Sequence, residues 1–204
     1  MSPLFWAVAA FLSGSIPFSV IIGRIGGGVD VREVGDHNPG ASNVIRALNW
    51  RWGALALLLD YFKAAVPVGL AWFFAGVEGW AILPVALAPA VGHAFSPWLR
   101  FRGGKAVAAT FGLWTGLTVG TGPIVLGMLL GLMYAVVTVS AWSVMLTLIA
   151  FGIFVITFYG GSHPVFIAVW AGNLLLLALR HWGELHERPA LRPWLFKLLH
   201  RVTR

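Results

Sequence analysis

The sequence predicts an all-α integral membrane protein of seven transmembrane helices, with its N-terminus outside and its C-terminus in the cytoplasm. Three observations predict it. First, 59% of the 204 residues are hydrophobic and only 10% are charged, with a mean hydropathy of +0.85; soluble domains carry about 25% charged residues. Second, the charges are gathered into a few short segments, and no Asp, Glu, Lys or Arg occurs in the 74 residues from Ala106 to Leu179. Third, when each apolar run is counted as a crossing, 13 of the 14 Lys and Arg residues fall on one side, Lys63 being the exception. The net charge of +7 then points to an anionic membrane face rather than to nucleic acid. The absence of Cys excludes a disulfide scaffold.

The spans follow in order from the requirement of about 20 apolar residues per crossing, range about 17–25. The first is 3–23; no Lys or Arg precedes it, so it lacks the basic start of a cleavable secretory signal and is expected to be retained. A polar stretch from Arg24 to Trp52 separates it from the second span, 53–75, which is interrupted by Asp60 and Lys63. A short gap around Glu78 leads to the third, 80–99, followed by the basic cluster Arg100, Arg102 and Lys105. The long uncharged run must hold an even number of crossings if Lys105 and the basic tail are to share the cytoplasmic side. Two crossings are too few for its length, so four are expected, at 106–120, 123–138, 143–160 and 164–180. The breaks fall at Gly120–Pro123, Thr138–Ser143 and Gly160–Pro164. From Leu191 to Val202 the apolar residues Leu191, Trp194, Leu195, Leu198 and Val202 recur at helical spacing among Arg192, Lys197 and Arg201. That pattern predicts a short amphipathic helix on the inner leaflet. The whole chain, 1–204, is expected to form one domain.

Two polar segments carry candidate chemistry. The loop Gly35-Asp36-His37-Asn38-Pro39-Gly40-Ala41-Ser42-Asn43 leads to Arg46. Its small residues allow tight turns, and Asn43 and Arg46 can donate to an anion near the start of a helix. An ordinary polar helix cap fits that loop equally well. The second segment, Gly103-Gly104-Lys105 directly before an apolar run, combines backbone donors, a cation and a helix start, as phosphate sites do. It lacks the spacing of a nucleotide-binding loop; an anchor for lipid headgroups is its alternative. His93, within the third span, is an ionisable group at membrane depth and so a functional candidate, or else a helix-packing hydrogen bond. Asp60 and Lys63, three residues apart on one helical face, are expected to pair as a structural unit. Ser140, Ser143, Arg180 and His181 are weaker candidates at cytoplasmic turns. Metalloprotease and serine-hydrolase motifs are missing from the sequence. The later spans also lack the charges a proton-coupled transporter uses.

These residues resemble a family. Ser13-Gly14-Ser15-Ile16-Pro17-Phe18, Asn38 with Gly40-Ala41-Ser42-Asn43 and Arg46, Leu59-Asp60 with Lys63, Gly92-His93 with Phe95-Ser96-Pro97, and Phe101 with Gly103-Gly104-Lys105, Val107 and Ala108 are similar to motifs of bacterial acyl-phosphate-dependent glycerol-3-phosphate acyltransferases. The resemblance covers most of the chain and includes its size and seven-span arrangement. It implies transfer of a fatty acyl group from acyl phosphate to the sn-1 hydroxyl of glycerol 3-phosphate, giving lysophosphatidic acid and phosphate in phospholipid synthesis. It also implies a multi-pass protein of the bacterial cell membrane, a site facing the cytoplasm, and no metal or other cofactor. His93 and Lys105 are implied as catalytic residues. Asn38, Gly40, Asn43, Arg46, Ser96, Gly103, Gly104, Ser140, Ser143, Arg180 and His181 are implied as phosphate- or substrate-binding. Where the family has Gly-Ser-Gly-Asn, this chain has Gly35-Asp36-His37-Asn38; Val137 stands where an Arg is usual, and Glu184 and Glu187 lie in the tail motif. Asp36, His37 and Glu184 therefore mark departures on the acceptor side, since a carboxylate repels phosphate unless a cation pairs with it. A related acceptor, or a non-catalytic lipid-binding paralogue, is the alternative these departures raise.

Overall fold

The computed structural model describes residues 2–195, which fold as helices joined by short turns. Two compact units divide the chain, residues 1–123 and 124–204.

In the first unit, α1 (Pro3–Ser15) starts where Ser2 Oγ accepts the N–H of Phe5 at 3.3 Å and proline occupies the first turn. It is interrupted at Ile16-Pro17, where Ile16 is extended (ψ 122°) and proline has no N–H to continue the ladder. The chain resumes as α2 (Phe18–Gly27) and stops at Gly28, which takes the left-handed conformation (φ +66°) and returns its N–H to Arg24. The first apolar segment therefore runs past Arg24, four residues beyond the expected end at 23, because Arg24 lies on the last turn with its guanidinium paired to Asp30 at 3.3 Å. The short α3 (Ala41–Ala47) and the long α4 (Trp50–Gly69) follow. Asn49 caps α4 by accepting from the N–H groups of Arg51 and Trp52, and a wider turn, Leu70–Phe74, prolongs it. Next come α5 (Ile82–Ala94), a tight turn at Pro97–Leu99, and α6 (Val107–Thr118). Helix α1 packs on α5, and α4 on α6. Small residues set both crossings: a Cβ on Gly14 would stand 2.2 Å from the carbonyl oxygen of Pro89, and one on Gly112 2.2 Å from that of Tyr61.

The second unit holds most of α7 (Thr121–Val136), together with α8 (Ser140–Tyr159), α9 (Val165–Arg180) and the single turn α10 (Trp182–Leu185). Helices α8 and α9 pack together, with the Trp170 indole donating to the carbonyl of Leu148 at 2.7 Å. Leu191 is extended rather than helical: it forms a bridge with Val137, flanked by hydrogen bonds from Thr138 to Ala190 and from Arg192 to Val136. A helical turn begins only at Pro193. Lys197, Leu198, Arg201 and Val202 of the expected amphipathic helix lie outside the described residues.

Every one of the seven expected segments holds a helix. Four helical stretches, Pro3–Gly27, Trp50–Phe74, Gly79–Leu99 and Ser140–Tyr159, are long and apolar enough to cross a membrane; Val107–Thr118, Thr121–Val136 and Val165–Arg180 are shorter apolar helices. Large side chains such as Phe74, Met128 and Phe158 are 84%, 72% and 69% exposed. Apolar surface on that scale suits lipid as the surrounding solvent.

Candidate active site

Under the site lies a buried polar cluster. Lys63 Nζ stands 2.6 Å from Asp60 Oδ1, and both side chains are almost fully buried. Ionised groups in such a place are tolerated only when their remaining hydrogen-bonding capacity is met. Lys63 also donates to the carbonyl of Ile16 at 2.7 Å, which at the Pro17 break accepts from the N–H of Phe18 in place of the regular helical donor four residues on. Ser19 Oγ donates to Asp60 Oδ2 at 3.0 Å, and Ser13 Oγ donates to the Lys63 carbonyl at 2.8 Å. The expected pair is thus the centre of a larger unit that locks α4 to the α1–α2 break. Ser19 and the Ile16 carbonyl had no signal in the sequence beyond a Ser-Gly-Ser-Ile-Pro interruption in an apolar run.

His93, near the end of α5, is buried with Nδ1 3.8 Å from Asp60 Oδ1. Its other edge faces Gly104: a Cβ there would stand 2.2 Å from Nε2. The glycine pair folds back onto α5, the N–H of Gly103 donating to Ala94 and that of Gly104 to His93. These N–H groups are committed to carbonyls, so glycine is required here for close approach rather than as an array of anion donors. Ser96 is likewise committed: it is buried, and its hydroxyl donates to the Ser15 carbonyl at 2.6 Å, while the Trp98 indole donates to Ser15 Oγ. Ser96 anchors the turn that delivers Lys105.

Lys105 emerges from this anchored segment and meets the first loop. Its Nζ is 2.6 Å from Asp36 Oδ2, a contact spanning 69 positions of sequence. Asp36 Oδ1 accepts from Asn43 Nδ2 at 2.9 Å; Asn43 Nδ2 also donates to the Asn38 carbonyl at 2.9 Å, and Asn43 Oδ1 accepts from Arg46 at 3.1 Å. Gly35, with φ +62°, leaves the space that Arg46 and Asn43 fill; a Cβ would lie 2.2 Å from Arg46 Nη1. Gly40 precedes α3 in an extended conformation, its N–H turned back to Asn38. His37 sits at φ +59° with Nδ1 2.9 Å from the Arg32 carbonyl.

The electrostatics follow from these pairs. Burial pushes the Asp36 carboxyl upward, but Lys105, with the donors of Asn38 and Asn43, outweighs it and holds the pKa below the ordinary value. Asp36 is therefore ionised at neutral pH and balanced by Lys105. The hydrogen bond from Arg32 holds Asp30 far below the carboxylate range, with Arg24 adding to it, and Asp30 raises Arg32 in turn. Beside this pair a cleft of about 740 Å³ is lined by Arg32, His37, Trp98, Arg100 and Arg102 among others. Among the described residues, no three His, Asp or Glu side chains gather as metal ligands would.

The remaining candidates belong to the second unit. Ser140 Oγ is 2.8 Å from the Tyr134 hydroxyl, and the buried Ser143 hydroxyl makes long contacts to the carbonyls of Met133 and Val139. Arg180 ends α9, and the buried His181 has Nδ1 2.8 Å from the Leu177 carbonyl. Glu184 lies in α10.

Known proteins resemble this chain in sequence and fold. A family model described as glycerol-3-phosphate acyltransferase matches residues 4–188, running across both units. A Thermotoga maritima protein named glycerol-3-phosphate acyltransferase 1 is 38% identical over 202 residues, covering 92% of this chain and 98% of its own. Two crystal structures of PlsY, an integral membrane glycerol 3-phosphate acyltransferase, superpose on 90% of this chain and 90% of their own. The glycerol 3-phosphate form has a TM-score of 0.81 at 27% identity, and the lysophosphatidic acid form 0.79 at 26%.

Proposed function

The chain belongs to the glycerol-3-phosphate acyltransferase family, and from that premise we propose that it transfers a fatty acyl group from acyl phosphate to the sn-1 hydroxyl of glycerol 3-phosphate. It is a membrane acyltransferase of phospholipid synthesis. The observation that carries the finer reading is the meeting of Lys105 with the Asp36–Asn43–Arg46 chain. It brings two cations and an amide donor together beside the ends of two apolar segments, the chemistry that phosphorylated substrates with a lipid tail require.

Acyl phosphate is a mixed anhydride with a good leaving group. The hydroxyl oxygen attacks the carbonyl carbon, the carbonyl carbon–oxygen bond to phosphate breaks, and the departing phosphate takes both the electron pair and, in the net reaction, the hydroxyl proton. The protein's share is to hold the two substrates in line and to balance charge on phosphate and oxyanion. Lys105 and Arg46 supply that charge. His93, buried between Asp60 and Gly104, acts as a positioning residue that fixes the segment carrying Lys105. Because Asp36 is paired with a cation, it does not by itself demand an acceptor other than glycerol 3-phosphate.

The remaining parts of this reading are seven spans with the N-terminus outside, a single functional module over 1–204, and a site open to the cytoplasm of a bacterial cell. A donor panel tests the central part. With purified protein and glycerol 3-phosphate, acyl phosphate supports product formation and the coenzyme A thioester of the same chain length does not; the opposite pattern refutes the proposed donor.

A further inference from the structure

We propose that Asp36 is a built-in competitor of the substrate phosphate for Lys105, lowering the site's affinity for phosphate dianions and speeding their release. The inference rests on the reading of Lys105 as a phosphate-binding cation, and it adds a residue that limits how tightly that cation binds.

The geometry of the pair is that of an occupied anion site. One Asp36 oxygen takes the Lys105 ammonium at 2.6 Å, and the other takes the Asn43 amide at 2.9 Å. A carboxylate thus presents two anionic oxygens to the two kinds of donor that a phosphate would use. Arg46 is tied to the same Asn43, so the cluster is a chain of cation, carboxylate, amide and cation. With Asp36 ionised, it carries a net charge of one against an incoming dianion; without Asp36 it carries two. The pair is also accessible, with 38% of the Asp36 side chain and 21% of the Lys105 side chain exposed. Accessible ion pairs are weak and are readily displaced by a second anion. The buried Asp60–Lys63 pair is the contrast. It is closed to solvent and held by the Ile16 carbonyl and the Ser19 hydroxyl, so it exchanges no partner during turnover.

A site that binds one phosphate ester and releases inorganic phosphate on every cycle gains nothing from holding either product tightly. A carboxylate that returns to Lys105 as phosphate leaves keeps the cation satisfied and opposes rebinding. Removing one unit of opposing charge at contact distance strengthens anion binding by about tenfold in a partly solvated site.

The test is inhibition of acyl transfer by inorganic phosphate, measured with the purified protein together with the KM for glycerol 3-phosphate. In both Asp36→Asn and Asp36→Ser, the inhibition constant for phosphate is expected to fall about tenfold, with a parallel fall in KM. Two variants guard against poor folding of one; monodispersity and the thermal midpoint identify the usable one. An inhibition constant that is unchanged or higher in the folded variants overturns the proposal and makes Asp36 a prop for Lys105. Lys105→Ala in the same assay separates the two levels. If it keeps wild-type inhibition by phosphate, the reading of Lys105 itself has failed; if it loses inhibition while the Asp36 variants show no gain, only the competition has failed.

Discussion

Replacing Gly104 with alanine tests how the glycine pair works. An alanine keeps the backbone N–H, so a site that used Gly104 only as an anion donor would tolerate it. The structure leads to the opposite expectation. The new Cβ would stand 2.2 Å from His93 Nε2 and 3.0 Å from Cδ2, and ordinary contact begins near 3.4 Å, so ring and backbone must separate by about 1.2 Å. The ring cannot swing aside freely, because it is buried against Asp60. Overpacking of this kind costs about 1–3 kcal/mol. Since Lys105 is the next residue, the displacement passes directly to the cation, and misplacing a catalytic group by about 1 Å costs on the order of 100-fold in rate. Gly104→Ala is therefore expected to lower kcat/KM for acyl transfer about 100-fold and to lower the thermal midpoint by several degrees. In a His93→Ala background the clash is gone, so adding Gly104→Ala should cost less than about 0.5 kcal/mol of stability. Wild-type activity in Gly104→Ala, or an equal stability loss in both backgrounds, refutes the close-approach argument.

Further outcomes follow from the same structure. Asp60→Asn leaves the Lys63 charge buried and uncompensated, so thermal unfolding in detergent should show a loss of about 3–5 kcal/mol, whereas joint replacement by Leu at 60 and Met at 63 costs less than the single change. Lys105→Ala is expected to lower kcat/KM for glycerol 3-phosphate by about 10²–10³ at an unchanged thermal midpoint, measured by steady-state kinetics. Asp30 is held below its ordinary pKa by Arg32. Its contribution to stability is thus fully present above about pH 4 and lost as the pH falls further; Asp30→Asn should flatten the acid limb of the thermal midpoint against pH. The absence of native Cys allows single-cysteine labelling of the topology. An impermeant maleimide should reach Glu78→Cys and Ser162→Cys in intact cells, and Glu33→Cys and Arg102→Cys only after permeabilisation.

Much of the fold was legible because a membrane span needs little more than length and apolarity, and each of the seven apolar segments holds a helix. The pairing of Asp60 with Lys63 was legible for a similar reason: neither charge is tolerable alone at depth, and their spacing puts them on one face. The break at Ile16-Pro17 is not legible within the first span, since proline is common in membrane helices; its use lies in a tertiary contact, the Lys63 ammonium on the Ile16 carbonyl. The site was half legible. Arg46, Asn43 and Lys105 were read from their chemistry, and the structure brings them into one cluster through Asp36. Gly103 and Gly104 were read as donors because glycine-rich turns often serve anions. Their N–H groups hold this segment to α5, a tertiary contact that local sequence does not encode. Leu191 was read by helical spacing, and its bridge to Val137 overrode that local pattern.

The most direct measurement is acyl transfer by the purified protein in lipid or detergent, with acyl phosphate and labelled glycerol 3-phosphate, following both products. The expected result is lysophosphatidic acid and inorganic phosphate in equal amounts, formed about 10²–10³ times more slowly by Lys105→Ala. A correctly folded sample that makes no lysophosphatidic acid, while an active family member does so under the same conditions, would contradict it.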